Sequence, residues 1–298
     1  MTFAADDGLA QHRIEVFDRE YRRDGDEAFV ATIYHPQGKG PFPMLLGVHG
    51  GAWNAGARLE LEPIAIELAA AGIIVAAVDF RLAPAHPYPS QVQDVHYACR
   101  WLKVRSAELN GDATTVGVLG SSSGAHASLL CAMRPRDSRY SALPLDAAPS
   151  IDATFKYVIS CWGVLDPWVR YTFCQTTPQA GEGFGGAEAK LRQSLNYFVD
   201  EAAMHEGNPQ EILERGEQQE LPPVLIIQGT EDMNIPLTLP QRFAPAYRSA
   251  GGSAQVEWFP GQPHGFVRHP GPATARAIAK MKHFVAAQVG IGALIGSS

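Results

Sequence analysis

The rhythm of hydrophobic and polar positions changes once along the chain. From His12 to Pro36 apolar and polar residues alternate around Asp24-Gly25-Asp26, which predicts two half-exposed antiparallel strands joined by a tight turn. Beyond them come short apolar runs with no polar alternation, Met44 to Val48, Ile73 to Val78 and Val116 to Leu119. Strands buried on both faces of a parallel sheet read this way, because neither face meets water. Helical spacing fills the gaps, from Leu59 to Ala71 before Gly72 and from Gln91 to Ser106 before Gly111. Further strands are predicted at Tyr157 to Cys161, Val224 to Gln228 and Gln255 to Phe259, and further helices at Ala125 to Met133, Leu239 to Ala250 and Thr274 to Gln288. Strand and helix in alternation predict an α/β fold with a mostly parallel central sheet flanked by helices.

Residues 164–220 break this rhythm. They are too many for a plain connection and predict a helical, cap-like insertion over one end of the sheet. Trp168, Tyr171, Phe173, Phe184, Tyr197 and Phe198 fall within it, either lining an apolar pocket or forming the insertion's own small core. Gly181-Glu-Gly183-Phe-Gly-Gly186 fits GxGxxG, with Glu201 beyond it, but a dinucleotide fingerprint needs a strand directly before the first glycine. Here Thr176-Thr177-Pro178-Gln179 precedes it, so a loop is the better reading and no cofactor is implied.

Composition narrows the function classes. Of 298 residues 46% are hydrophobic and 18% charged, enough for a sizeable core and against general disorder. Twenty-four basic against 31 acidic residues give a net charge of −7, the wrong balance for a chain that grips phosphate backbones. The first seven residues lack the basic and apolar regions of an export signal, and no stretch reaches the roughly 18 apolar residues of a membrane span. A cytoplasmic protein with neither nucleic acid nor membrane as partner is expected. Cys99, Cys131, Cys161 and Cys174 match no metal-binding spacing and read as reduced structural residues. His264 and His269 likewise lack a metal-binding spacing and a third ligand, so no metal is expected.

The chemistry concentrates in Val116-Gly-Val-Leu-Gly120-Ser121-Ser122-Ser123-Gly124-Ala125-His126, a buried strand entering a helix through GxSxG. Only Ser122 has glycine two residues away on both sides, which makes it the nucleophile candidate. The turn there is so sharp that its central residue is strained, and flanking glycines remove the Cβ clashes. A serine hydroxyl needs a base and an orienting acid. His264, in the loop after the last strand candidate, and Asp232, after the strand before it, supply them; Glu231 is the alternative acid. The order Ser122, Asp232, His264 is that of an α/β-hydrolase, not of chymotrypsin or subtilisin. The negative charge on an attacked carbonyl oxygen also needs donors. His49-Gly50-Gly51-Ala52-Trp53 follows the Met44 to Val48 strand, and Gly51, Ala52 and Ser123 are the expected N–H donors.

These motifs resemble the α/β-hydrolase superfamily and, within it, the hormone-sensitive-lipase-like esterases: HGGAW at 49–53, Asp79-Phe-Arg81-Leu-Ala-Pro84-Ala-His86-Pro-Tyr-Pro89, GSSSG at 120–124, and the Asp232 and His264 loops. They span Met44 to Phe266. Ala85 stands where that family's APEHP has glutamate, and Ala-Trp ends the first motif where many members have a third glycine. HGG-x-W with the GAH after the elbow is closer to the kynurenine formamidase and BD-FAE-type feruloyl or acetyl esterase branches.

The resemblance implies an α/β-hydrolase fold in one domain over 1–298 with the 164–220 insertion inside it, and a carboxylesterase acting on small-molecule esters. A formamide or other amide substrate is the alternative, and a non-catalytic ligand-binding protein on the same fold is a reading from another class. Trp53, Trp168 and Phe266 are candidate substrate contacts. His126 is expected to pack or hydrogen-bond, His49 and His86 to brace loops, Asp79 to pair with Arg81 beneath the oxyanion segment, and Asp166 to hold a loop near the site. Analogy with fold relatives implies a homodimer through the last strand and helix.

Overall fold

The computed structural model describes residues 12–290 apart from residue 218; the first seven residues, assessed above for an export signal, lie outside the described residues. The alternating amino-terminal segment forms a hairpin of β1 (Ile14–Asp24) and β2 (Glu27–Pro36), turning at Gly25, whose φ of +56° suits glycine. The apolar runs become β3 (Met44–Val48), β4 (Ile74–Val78), β5 (Gly117–Ser121), β6 (Val158–Cys161), β7 (Val224–Gly229) and β8 (Ala254–Phe259). All eight strands join in one sheet, ordered β1-β2-β4-β3-β5-β6-β7-β8. β1, β2 and β4 pair antiparallel, and the ladder from β4 to β8 is parallel throughout.

Successive residues of the inner strands feed two apolar layers, which is why those runs contain no polar position. Met44, Leu46 and Val48 of β3 join one layer and Leu45 the other; Val224 and Ile226 of β7 are separated from Leu225 and Ile227 in the same way. On the first face pack α2 (Ser90–Val104), α3 (Ser123–Met133) and α8 (Thr238–Ser249), through residues such as Val95, Leu130 and Phe243. On the second lie α1 (Glu62–Ala70) and α9 (Pro272–Val289), through Leu68 and Met281. All four cysteines are free and buried. No helix among the described residues is long and apolar enough to cross a membrane.

The insertion comprises α4 (Pro167–Thr176), α5 (Gly186–Phe198), α6 (Glu201–Glu206) and α7 (Pro209–Glu214). Its short helices start on side-chain caps: Asp166 accepts from Val169 N–H at 3.0 Å, Asp200 from Ala203 N–H at 2.8 Å and Asn208 from Gln210 N–H at 3.1 Å. The GxGxxG stretch follows α4 rather than a strand, as the order of residues before it predicts.

Because β3 to β8 run parallel, the loops after β3, β5, β7 and β8 emerge at one edge of the sheet. The chain passes from β3 to β4 on one side and returns to β5 on the other, so the strand order reverses between β3 and β5. Open α/β sheets hold their ligands outside such a switch point.

Candidate active site

β5 ends one residue before Ser122 and α3 begins one residue after it. The reversal falls on Ser122 itself, whose φ of +52° and ψ of −119° lie where L-residues seldom go, at roughly 1–3 kcal/mol. Backbone bonds on both sides hold it there: Ser122 N–H donates to Cys161 O at 2.9 Å, and its carbonyl accepts from Ala125 N–H at 3.1 Å and Val164 N–H at 3.2 Å. The neighbouring glycines are steric necessities. A Cβ at Gly124 would stand 2.1 Å from His49 O, and one at Gly120 would stand 2.5 Å from Ala125 Cα. Ser122 is 5% exposed, at the amino end of α3, where unpaired N–H groups favour negative charge.

Asp232 and His264 occupy the turns after the adjacent strands β7 and β8. His264 Nδ1 lies 2.8 Å from Asp232 Oδ2. The same oxygen accepts from Gln228 Nε2 at 3.0 Å, while Oδ1 accepts from the N–H groups of Asn234 and Ile235, each at 2.8 Å. Four donors fix the carboxylate, so His264 carries its proton on Nδ1 and keeps the Nε2 lone pair for a hydroxyl. Glu231 is exposed to solvent, whereas Asp232 is buried. Burial pushes the His264 pKa below the ordinary imidazole value, outweighing the opposite pull of Asp232.

The loop after β3 passes directly over the elbow: a Cβ at Gly50 would lie 3.0 Å from Ser122 Cβ. Gly51, Ala52 and Trp53 all have positive φ, at +112°, +51° and +65°. Trp53 N–H donates to Ser123 Oγ at 3.1 Å, clamping the loop to α3. The N–H groups of Gly51 and Ala52 find no acceptor among the described residues, and that of Ser123, first in α3, has none within its helix. His49 Nδ1 is 2.7 Å from Gly50 O, and its ring stacks on Phe80 at 4.1 Å, so it braces the loop.

The three candidate substrate contacts sit apart from one another. Trp53 is 1% exposed, stacked on Tyr197 at 5.2 Å and donating Nε1–H to His126 Nδ1 at 3.3 Å. Trp168 packs on Tyr171 and His205 within the insertion. Phe266 is buried against Phe259 and Trp162, and Trp162 in turn lies edge-on to His264. His126 Nε2 donates to Gly207 O at 2.7 Å, and burial lowers its pKa to about 4. Tyr197 and Phe198 form core with Trp53 and Tyr88, while Phe184, 37% exposed, sets its ring edge-on to His264 at 5.0 Å. The insertion's aromatics thus divide between a shared core and one ring over the histidine.

One expected pair is not formed. Asp79 bonds Arg58, both through the guanidinium and through the Arg58 N–H at 2.8 Å, while Arg81 takes the buried Asp94 of α2 through its N–H at 2.8 Å and its Nε at 3.0 Å. Two positions apart on an extended segment, Asp79 and Arg81 reach different neighbours: the end of the oxyanion loop and the start of α2. Asp166 caps α4 and accepts from Asn208 Nδ2 at 2.8 Å. Sequence reasoning also missed Gln228 and Asn234, which brace Asp232, and Arg170 of α4, whose Nη2 donates to Asn234 Oδ1 at 2.8 Å. Asp232-x-Asn234 carries a turn signal that pointed to the brace; nothing local marked Arg170.

The BD-FAE family model matches residues 32–246. Esterase LipC of Mycobacterium tuberculosis is 30% identical over 281 residues, 91% of this chain and 66% of LipC. Carboxylesterase NlhH of the same organism is 36% identical over 131 residues, 43% of this chain and 40% of NlhH. The chain therefore spans less than two thirds of the length of either relative. Among solved structures, the esterase Est2 of Thermogutta terrifontis superposes with a TM-score of 0.71 at 22% identity, covering 96% of each chain, and shares the α/β-hydrolase fold.

Proposed function

This chain belongs to the BD-FAE family, and from its site we propose a serine carboxylesterase that cleaves small carboxylic esters through an acyl-enzyme on Ser122. The observation that carries the reading is the buried Asp232–His264 hydrogen bond at the ends of neighbouring strands, on the sheet edge where the strained Ser122 stands. The names of LipC and NlhH support the same class.

Ser122 Oγ attacks the acyl carbon while His264 Nε2 takes its proton, and Asp232 holds the resulting imidazolium. The carbonyl electron pair moves onto oxygen, facing the N–H groups of Gly51, Ala52 and Ser123. As that pair returns, the bond to the leaving alkoxide breaks and the alkoxide takes the proton from His264. Water then repeats the sequence: His264 removes its proton, the acyl carbon passes to the hydroxide, and Ser122 Oγ recovers the proton as the acid leaves.

The test is hydrolysis of p-nitrophenyl acetate by the purified protein and its loss in Ser122→Ala, with a fluorophosphonate adduct located on the Ser122 peptide by mass spectrometry. A preference for N-formylkynurenine over p-nitrophenyl esters by orders of magnitude in kcat/KM would replace the ester assignment with a formamide one. An active Ser122→Ala variant would remove the nucleophile.

A further inference from the structure

The insertion contains two buried cations that the ester chemistry does not use. Arg170 is 1% exposed, and of its guanidinium only Nη2 is bonded, to Asn234; Nε and Nη1 are buried without a partner. Its guanidinium carbon lies 5.7 Å from the centroid of the Trp53 ring. Arg170 therefore bridges the acid loop, through Asn234, and the oxyanion loop, through Trp53. Lys190 of α5, the helix packed on α4, is 6% exposed and donates only to the neutral Gln193 Oε1 at 3.0 Å. Among the described residues neither cation forms an ion pair.

A buried charge without a counter-ion is among the costliest features a fold can carry, and arginine cannot relieve it by losing a proton. The charge of Asp232 reaches Arg170, but both Asp232 oxygens are filled by four other donors. Cys174, one turn after Arg170, supplies no anion, since burial pushes its thiol pKa up. Lys190 is drawn down to about 8, first by burial and then by the like charge of Arg170 on the helix it packs against.

We propose that Arg170 and Lys190 form an anion subsite in the insertion, which receives a carboxylate carried by the substrate, so that the preferred esters are half-esters or otherwise acid-bearing esters. The unpaired Nε and Nη1 supply the donors for a carboxylate, and Lys190 adds the second charge. Charge-assisted bonds of this kind correspond to about 10- to 100-fold in binding. The subsite rests on the esterase reading for its catalytic consequence but not for binding itself.

Two substrate pairs locate the anion. Mono-p-nitrophenyl glutarate against p-nitrophenyl pentanoate tests the acyl side; m-acetoxybenzoate against m-acetoxybenzamide tests the leaving-group side. In the wild-type protein one pair is expected to favour the anionic member at least about tenfold in kcat/KM, mainly through KM. In Arg170→Met and in Lys190→Met that ratio collapses toward one. Glutarate, against glutaramide as control, should raise the Tm of the wild-type protein and not that of Lys190→Met, a readout independent of catalysis. No anionic preference in either pair, or a preference that survives Lys190→Met, overturns the subsite, as does equal stabilisation by glutarate and glutaramide. Should Arg170→Met fail to fold, Lys190→Met, which removes a bond to Gln193 and none to the acid loop, decides. Failure of the esterase reading looks different: no ester, neutral or anionic, is hydrolysed, while glutarate still stabilises the protein.

Discussion

Replacing Asp232 by asparagine keeps the shape of the acid and reverses half of its hydrogen bonding. In the native site Oδ1 accepts two backbone N–H groups, and Oδ2 accepts from Gln228 Nε2 and lies 2.8 Å from His264 Nδ1. An asparagine can leave its oxygen on the backbone donors, but its NH2 then points at Gln228 Nε2 and at the Nδ1–H of His264. The ring escapes by moving its proton to Nε2, and that tautomer cannot accept the proton of Ser122. The opposite amide orientation sets NH2 against two buried backbone donors and is no better.

The expected loss is therefore the wrong-tautomer penalty of a serine triad, about 10⁴-fold in kcat, or about 5 kcal/mol of transition-state stabilisation. The assay is initial-rate hydrolysis of p-nitrophenyl acetate, with KM close to wild type because no ground-state contact is removed. Glu231→Gln, on the exposed neighbour, is the control and should retain activity within about twofold. If Asp232→Asn kept more than a tenth of the wild-type kcat, or Glu231→Gln lost it instead, the acid would be misassigned and the tautomer reasoning wrong.

Ser123→Ala removes the acceptor for the Trp53 N–H, leaving a buried donor unpaired. A cost of about 1–3 kcal/mol in urea unfolding is expected, with kcat reduced about tenfold as the Gly51–Ala52 donors lose their anchor; unchanged kcat would mean the clamp does not set the oxyanion loop. Catalysis needs His264 neutral, and its pKa lies below the ordinary 6.5, so the acid limb of kcat/KM should fall below pH 6.5; a limb above that value contradicts the burial. Stability should move with it: His126 and His96, both lowered from 6.5 to about 4 by burial, bind more protons unfolded than folded between those values. Their stabilising contribution is complete above pH 6.5 and is lost as pH falls toward 4, so urea midpoints should drop between pH 7 and pH 5. Gly124→Ala drives a methyl to within 2.1 Å of His49 O and should destabilise by roughly 3 kcal/mol or more with loss of activity; a wild-type Tm would show that α3 can shift.

Much of this architecture is legible in the sequence because the two-layer sheet leaves a mark on every inner strand. The runs at Met44 to Val48 and Val224 to Gln228 emerge as β3 and as β7, which extends one residue further, to Gly229. The elbow is legible for a stricter reason: Gly120 and Gly124 have no space for a side chain, so geometry writes itself into residue type. What sequence could not locate are pairings across the fold. Asp79 and Arg81 lie two positions apart in the chain yet find Arg58 and Asp94, and no local pattern separates a buried Arg170 from an exposed one on a half-polar helix. Nor does composition tell Tyr197, wholly inside, from Phe184, which meets His264 and solvent together.

The insertion belongs to the site in a stronger sense than covering it. Asn54 Nδ2, just past the oxyanion loop, donates to Gln193 O of α5 at 2.9 Å, and Gly181 N–H donates to Met233 O in the acid loop at 2.8 Å. His126, one turn into α3, bonds Gly207 O between α6 and α7, and Tyr88 N–H donates to Tyr197 O at 2.7 Å. Each bond joins the insertion to a different one of the segments that build or flank the catalytic residues, and Tyr197 and Phe198 close the core over Trp53. A body tied at so many points does not swing open as a unit. The stretch Gly181 to Gly186, with four left-handed glycines and Phe184 half in solvent, is held to the acid loop only at its first residue and meets His264 through one ring edge. That stretch is thus the least braced piece of the insertion beside the catalytic histidine, while the helices behind it, with Arg170 and Lys190, are tied to the segments that carry the site.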